Sequence, residues 1–296
     1  MKILLLGKNG QVGWELQRSL SVLSEVVALD RHSTDFCGDL TRLDDLAHTI
    51  RMLKPQVIVN AAAHTAVDRA ESEPDLAHLV NEKASGVIAH EAAQLGALFV
   101  HFSTDYVFDG SGTTPWREDD ATGPLSVYGQ SKLAGENLIQ HSGCQHLILR
   151  TSWVYAAKGA NFAKTMLRLA QEREQLQIVS DQFGAPTGAD LLADVAAHCI
   201  RRAHHKPALS GIYHCVAAGE ANWYEYASFV IAQARQYGLS LAVQDMVPVP
   251  TGHFPTTAVR PNNSRLSIKK LESTFDLVMP LWQQGVQRML VEIFDK

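Results

Sequence analysis

The chain lacks the features that mark several common classes of protein. Its four cysteines, Cys37, Cys144, Cys199 and Cys215, are scattered and form no C-x-x-C pair. That argues against a disulfide framework or a zinc cage and for a reducing compartment. No apolar run is long enough to span a membrane, and the opening MKILLLGKNGQ is far too short for a signal peptide. No Gly/Ser, Pro or single-sign charge run makes a disordered arm. The net charge of -5 supplies no basic face, so neither a nucleic acid nor an anionic membrane is an expected partner. The thirteen histidines form no ligand cluster, and no metal is assigned to them. These absences place the protein in the cytoplasm.

What is present is ample material for a core, with 296 residues of which 46% are hydrophobic. Near-continuous apolar runs at 2–6, 25–29, 56–60, 97–102 and 146–150 alternate with helical spacing at 10–22, 42–53, 75–95 and 125–141. Such alternation predicts an α/β fold, a doubly wound parallel sheet covered on both faces. It occupies 1–155, with returning strands near 176–179 and 211–216. A smaller, interwoven and discontinuous C-terminal part occupies 156–296, with helices near 161–173, 188–203 and 223–236. The stretch PVPTGHFPTTAVRPNNS reads as a loop. A ligand crevice belongs at the strand ends.

Gly7, Gly10 and Gly13 follow the first strand and open the first helix. Glycines there permit a tight turn and a close approach to a pyrophosphate at a helix N-terminus, which makes 1–155 the candidate dinucleotide-binding domain. Asp30 ends the second strand and suits either a ribose 2′-OH or a turn cap. Arg31 and His32 beside it could meet a 2′-phosphate, so NADH and NADPH both remain open. Asp39, with Leu40, lies where an adenine could rest or where a cap is needed. The small residues of NAAAHT, including Ala63, His64 and Thr65, suit either cofactor passage or close packing.

Tyr128 and Lys132 share a helix face at i, i+4. A nearby ammonium lowers a phenol's pKa, which makes the pair a candidate acid–base unit or else a solvated surface pair. Thr104, at the end of the 97–102 strand, offers a hydroxyl to a substrate, as does Ser103.

Together with NAAAHTAVDRAE, STDYVFDG, YGQSKLAGE, LRTSWVY, DQFGAPTGA and RPNNSRLS, these motifs resemble the dTDP-4-dehydrorhamnose reductase family of extended short-chain dehydrogenases/reductases. The resemblance implies a Rossmann fold and an NADH- or NADPH-dependent reduction of dTDP-6-deoxy-L-lyxo-4-hexulose at C4. The product would be dTDP-L-rhamnose, for surface polysaccharide such as O-antigen.

By the same resemblance Tyr128 is the proton donor, Lys132 its helper and Thr104 an assistant. Gly10, Gln11, Val12, Asp30, Asp39, Leu40, Ala63, His64 and Thr65 line the cofactor. Asp105, Trp153 and Arg260 meet the nucleotide-sugar substrate, with Trp153 also readable as core and Arg260 as a solvated loop residue. A homodimer and magnesium are implied too, with Glu15 and Glu292 as candidate ligands. Related dehydratases carry a glutamate after Thr-Asp where this chain has Tyr106, which favours simple reduction over elimination. An epimerase and a non-catalytic regulatory subunit of the methionine adenosyltransferase type are the rival readings.

Overall fold

The computed structural model describes residues 1–295. In chain order its first half contains β1 (Lys2–Leu6), α1 (Gln11–Ser21), β2 (Glu25–Leu29), α2 (Leu43–Leu53), β3 (Val57–Asn60), α3 (Val67–Ser72), α4 (Pro74–His78), α5 (Ala84–Leu95), β4 (Leu98–Thr104), α6 (Val127–His141) and β5 (His146–Thr151). The second half contains β6 (Val154–Tyr155), α7 (Phe162–Glu172), β7 (Gln175–Val179), β8 (Phe183–Gly184), β9 (Thr187–Gly188) and α8 (Ala189–Ala203). It ends with β10 (Gly211–His214), β11 (Ala221–Asn222), α9 (Trp223–Gln236), β12 (Asp245–Val249), α10 (Lys269–Phe275) and α11 (Trp282–Phe294).

Six strands form one sheet in the order β10-β5-β4-β3-β1-β2, with every pair parallel. The chain winds outward from β1 to β2 and then resumes on the other side at β3. The crevice therefore opens between the ends of β1 and β3, where the connections diverge. Alternate residues of the buried strands feed two cores. Ile3, Leu5, Val57 and Val100 face one layer with α1 and α8, while Leu4, Ile58, Phe99 and Ile148 face the other with α2 and α5. A third core, containing Tyr155, Tyr226, Trp282 and Leu290, binds the C-terminal helices together. No helix among the described residues is long and apolar enough to cross a membrane.

Three readings need correction. The run 176–179, expected to join the central sheet, lies in β7 and pairs in parallel with β12 in a separate two-stranded sheet. Nor is the Pro-rich stretch a loop from its start, because Pro248 and Val249 complete β12. A proline is tolerated in a strand with a free edge, where no neighbour needs its missing N–H. The helical spacing at 75–95 is also not one regular helix. Leu79–Lys83 forms a π-helical turn between α4 and α5 and buries Asn81.

Candidate functional site

The glycine loop is built on close backbone approach. Gly7 has φ +89°, and a Cβ there would lie 2.7 Å from the Ala62 nitrogen. A Cβ on Gly13 would lie 2.0 Å from the Gly7 carbonyl oxygen. Gly10 is the N-cap of α1, and no side chain caps that helix. Its first N–H groups are thus presented to the crevice beside Gln11 and Val12. A loop that only glycine can fill, leading to an uncapped helix start at the sheet's switch point, fits a dinucleotide pyrophosphate.

The ends of β2 and β3 are occupied in unequal ways. Asp30 Oδ1 accepts bonds from the His32 N–H at 2.9 Å and the Ser33 hydroxyl at 3.2 Å. Its other oxygen meets the Asn9 amide. The carboxylate is therefore engaged by its own turn, while Arg31 and His32 stay exposed. Asp39 likewise accepts from the Thr41 N–H at 2.9 Å, as a cap would, and Leu40 is packed in the core. The loop carrying Ala63, His64 and Thr65 is pinned by the buried Asn81. Its Oδ1 accepts from the His64 N–H at 2.8 Å, and its Nδ2 donates to the His64 carbonyl at 3.1 Å and to Ser131 Oγ at 3.0 Å. No local pattern in the sequence marks Asn81. Its role depends on the π-helical turn that lets it face inward.

Tyr128 and Lys132 lie on the first turns of α6, whose N-cap Ser126 accepts from the Gly129 N–H. Gly129 lets the helix approach, since a Cβ there would sit 2.2 Å from the Tyr106 carbonyl oxygen. Burial holds the Tyr128 hydroxyl well above the ordinary phenol range, partly offset by a side-chain bond to Thr104 and reinforced by the charges of Asp105 and Tyr106. Thr104 is thus the hydroxyl brought to Tyr128, and the buried Ser103 Oγ has no partner. Thr104 Oγ1 also accepts from the Tyr106 N–H at 3.2 Å and donates to Asp105 Oδ1 at 3.0 Å. Burial pushes Asp105 up to about 6, against the opposing effect of the nearby Ser264 hydroxyl and the bond from Thr104. Lys132 is buried with them, and its Nζ donates to the Phe102 carbonyl at 2.6 Å and meets His101 Nε2 at 3.0 Å. Burial pushes it down to about 8.

Tyr106 stands edge-on to Tyr128 at 5.5 Å between ring centroids. Desolvation pushes its hydroxyl up to about 12, with the nearby Arg260 guanidinium opposing the rise. Arg260 donates to Asp68 at 2.7 Å, so the loop arginine reaches the same cluster as Tyr128. Trp153 has φ +49°. It stacks on Trp223 at 3.6 Å, and Trp223 Nε1 in turn donates to Gln182 at 3.0 Å. Trp223 and Asp68 were not singled out from the sequence, because each joins the cluster from a different element.

Glu15 and Glu292 are close enough to interact. Burial raises the Glu15 carboxyl, Arg18 opposes that, and Asp190 and Glu292 add to it. Among the described residues no group of three His, Cys, Asp or Glu side chains could hold a metal ion.

The family model for the RmlD substrate binding domain matches residues 1–294. The chain belongs to this family. It is 58% identical to a dTDP-4-dehydrorhamnose reductase of Shigella flexneri, over 99% of this chain and 98% of that one. Among solved structures, a dTDP-4-dehydrorhamnose reductase of Clostridium acetobutylicum is 34% identical with a TM-score of 0.90, and both chains are covered in full, at 100%. The dTDP-4-dehydrorhamnose reductase of Bacillus anthracis, in complex with NADP, is 33% identical with a TM-score of 0.87, covering 98% of this chain and 99% of that one.

Asp105 provides a test of the site's electrostatics. Its folded pKa lies above its ordinary value of 3.8. The carboxylate therefore costs stability increasingly as pH rises through about 6, and costs nothing below about 4. Asp105→Asn keeps an acceptor for Thr104 and removes the charge. It is expected to stabilise the fold near neutral pH by at most about 3 kcal/mol, with the gain shrinking as pH falls towards about 4. Thermal unfolding across that range checks it, and a destabilised variant at neutral pH contradicts it.

Proposed function

We propose that the chain catalyses the NAD(P)H-dependent reduction of the C4 keto group of dTDP-6-deoxy-L-lyxo-4-hexulose to dTDP-L-rhamnose. The observation that carries the reading is the buried junction of Tyr128, Thr104 and Asp105 at the strand ends, beside a loop built for a dinucleotide. The 58% identity to a named reductase supports the substrate. The family is the one whose products feed surface polysaccharide such as O-antigen.

The bound dinucleotide supplies hydride, and the chain's own residues handle charge and orientation. As hydride arrives at the carbonyl carbon, negative charge grows on its oxygen and must meet a proton. Tyr128 is protonated across the physiological range, because burial holds its pKa high. It is therefore an acid ready to donate. Thr104 accepts at one face and donates to Asp105 at the other, so for it to donate to the keto oxygen its hydroxyl must turn from Asp105. Lys132 holds the nicotinamide ribose and offsets the phenolate formed. Arg260 reaches the substrate diphosphate, and Asp105 and Trp153 line the sugar.

Gly7, Gly10, Gln11, Val12 and Gly13 receive the cofactor pyrophosphate, with Ala63, His64 and Thr65 across the crevice. Either dinucleotide serves. Exposed Arg31 and His32 suit the 2′-phosphate, and a relative has NADP bound.

The cytoplasmic location, the homodimer and the magnesium belong to the same proposal. Magnesium requires several hard oxygen ligands. Glu15 and Glu292 of one chain are two, so a second chain would complete the set. Sedimentation with and without chelator is expected to give a dimer that weakens without the metal, and a monomer in both conditions removes this part.

The chemical step is tested by Tyr128→Phe, which keeps the ring and removes the proton. Turnover is expected to fall by about 10²–10⁴-fold, with cofactor affinity nearly unchanged. Near-wild-type turnover in the folded variant contradicts the mechanism.

A further inference from the structure

His101 is a buried imidazole that the mechanism above leaves unused. It lies on β4 directly opposite Asn60 of β3 in the sheet register. Its side chain shares the face of Phe99, under α6, and meets Lys132 there.

The hydrogen-bond polarity around it follows from one fixed donor. The Ala62 backbone N–H can only donate, and it donates to Asn60 Oδ1 at 3.1 Å. The amide nitrogen of Asn60 therefore faces His101 Nδ1, at 3.4 Å. An amide nitrogen is a donor, so Nδ1 is the ring's acceptor and the proton of the neutral imidazole sits on Nε2. That Nε2 lies 3.0 Å from Lys132 Nζ. A donor at Nε2 requires an acceptor opposite, and a lysine nitrogen accepts only as the uncharged amine. The amine's own hydrogens go to the Phe102 carbonyl at 2.6 Å.

We propose that His101 is a positioning residue that holds Lys132 as an uncharged amine in the cofactor-free protein. It donates from Nε2 to the lysine nitrogen, so the lysine gains its charge only when that donor changes tautomer or turns away. This deepens, and rests on, the reading of Lys132 as the partner of Tyr128.

The surroundings agree with it. Burial holds His101 neutral, well below its ordinary range, and brings Lys132 down to about 8, so that a donor at Nε2 has only a short way further to take it to the uncharged amine near neutral pH. Among the described residues Lys132, whenever it is protonated, is the charge that acts on His101, and Glu136, one turn further on, is the charge that acts on Lys132. Glu136 is itself matched by Arg150 of β5 at 2.7 Å, with both side chains buried. Other elements bring little charge to the pair. From α3, Glu71 reaches the start of α6 at the Val127 N–H. Next to it, His78 and Glu82 pair with each other at 2.6 Å. The π-helical turn and α5 present Asn81 and Ser85, which are uncharged, and Asp105 acts on Tyr128.

The tautomer can be read in the wild-type full chain, cofactor-free and near pH 7.5. Nitrogen-15 NMR of the His101 ring, assigned through its backbone, is expected to show a protonated Nε2 and a bare Nδ1. A proton on Nδ1, or on both nitrogens, overturns the proposal. His101→Gln adds a second readout, because its amide oxygen can accept from an ammonium and so favours the charged lysine. If charged Lys132 is needed for turnover, activity falls as pH rises through its pKa. The alkaline limb of the kcat/KM profile should then move up by about one pH unit or more. An unmoved limb in a folded variant overturns the proposal, and if the variant does not fold the wild-type spectrum decides alone. The spectrum needs no turnover, so a chain that shows the expected tautomer but reduces no keto-sugar would remove the proposed function and leave this arrangement standing.

Discussion

Helix α6 lies against its neighbours at a separation that only glycine permits. A Cβ on Gly129 would lie 2.2 Å from the Tyr106 carbonyl, and one on Gly135 would lie 2.3 Å from that of Asn81. This close seat removes water from the side chains that α6 carries into the sheet edge. Lys132 and Glu136 become buried, Arg150 is drawn in to match Glu136, and the Tyr128 hydroxyl is left beside Thr104. Unpaired charge is costly in such a place, so the groups either pair, bond or become neutral. The site's proton chemistry follows from that packing.

Desolvation acts on the cluster in one direction for acids and the other for bases. It keeps Tyr128 a phenol, raises Asp105 and lowers Lys132. A phenol with its proton is what a reduction needs at the moment charge reaches the keto oxygen. The bonding order at Thr104 adds a direction, since its hydroxyl accepts from the Tyr106 N–H and gives its proton to Asp105. Polarity therefore runs from the Tyr106 backbone N–H through Thr104 to a carboxylate that is itself poised between its two forms.

Much of this was legible in the sequence, for physical reasons that differ by element. Strands buried on both faces must be apolar throughout, so β1, β3, β4 and β5 announced themselves, and their alternation with helices required a parallel sheet. The pairing of Tyr128 with Lys132 was visible as a helical period. Their surroundings were not, because Phe102, His101 and Thr104 reach them across the sheet. The run 176–179 looked like any other strand, and nothing local distinguishes a partner in β5 from one in β12. Asp39 and Leu40 show the reverse limit. Asp39 caps its turn and Leu40 packs in the core, both at positions where a cofactor contact is also expected, and period alone does not separate those roles. Asn81 escaped because a π-helical turn shifts the face on which a side chain emerges.

The central claim is a net hydride transfer from the dinucleotide to a sugar carbonyl carbon, with the proton supplied by the protein. The most direct measurement uses a reduced cofactor deuterated at the transferring position of the nicotinamide, with the dTDP-linked 4-keto-6-deoxyhexose as substrate. The account predicts a product carrying one deuteron at C4 of the sugar and stoichiometric oxidation of the cofactor. An unlabelled product, or a change in the sugar without net cofactor oxidation, would contradict it.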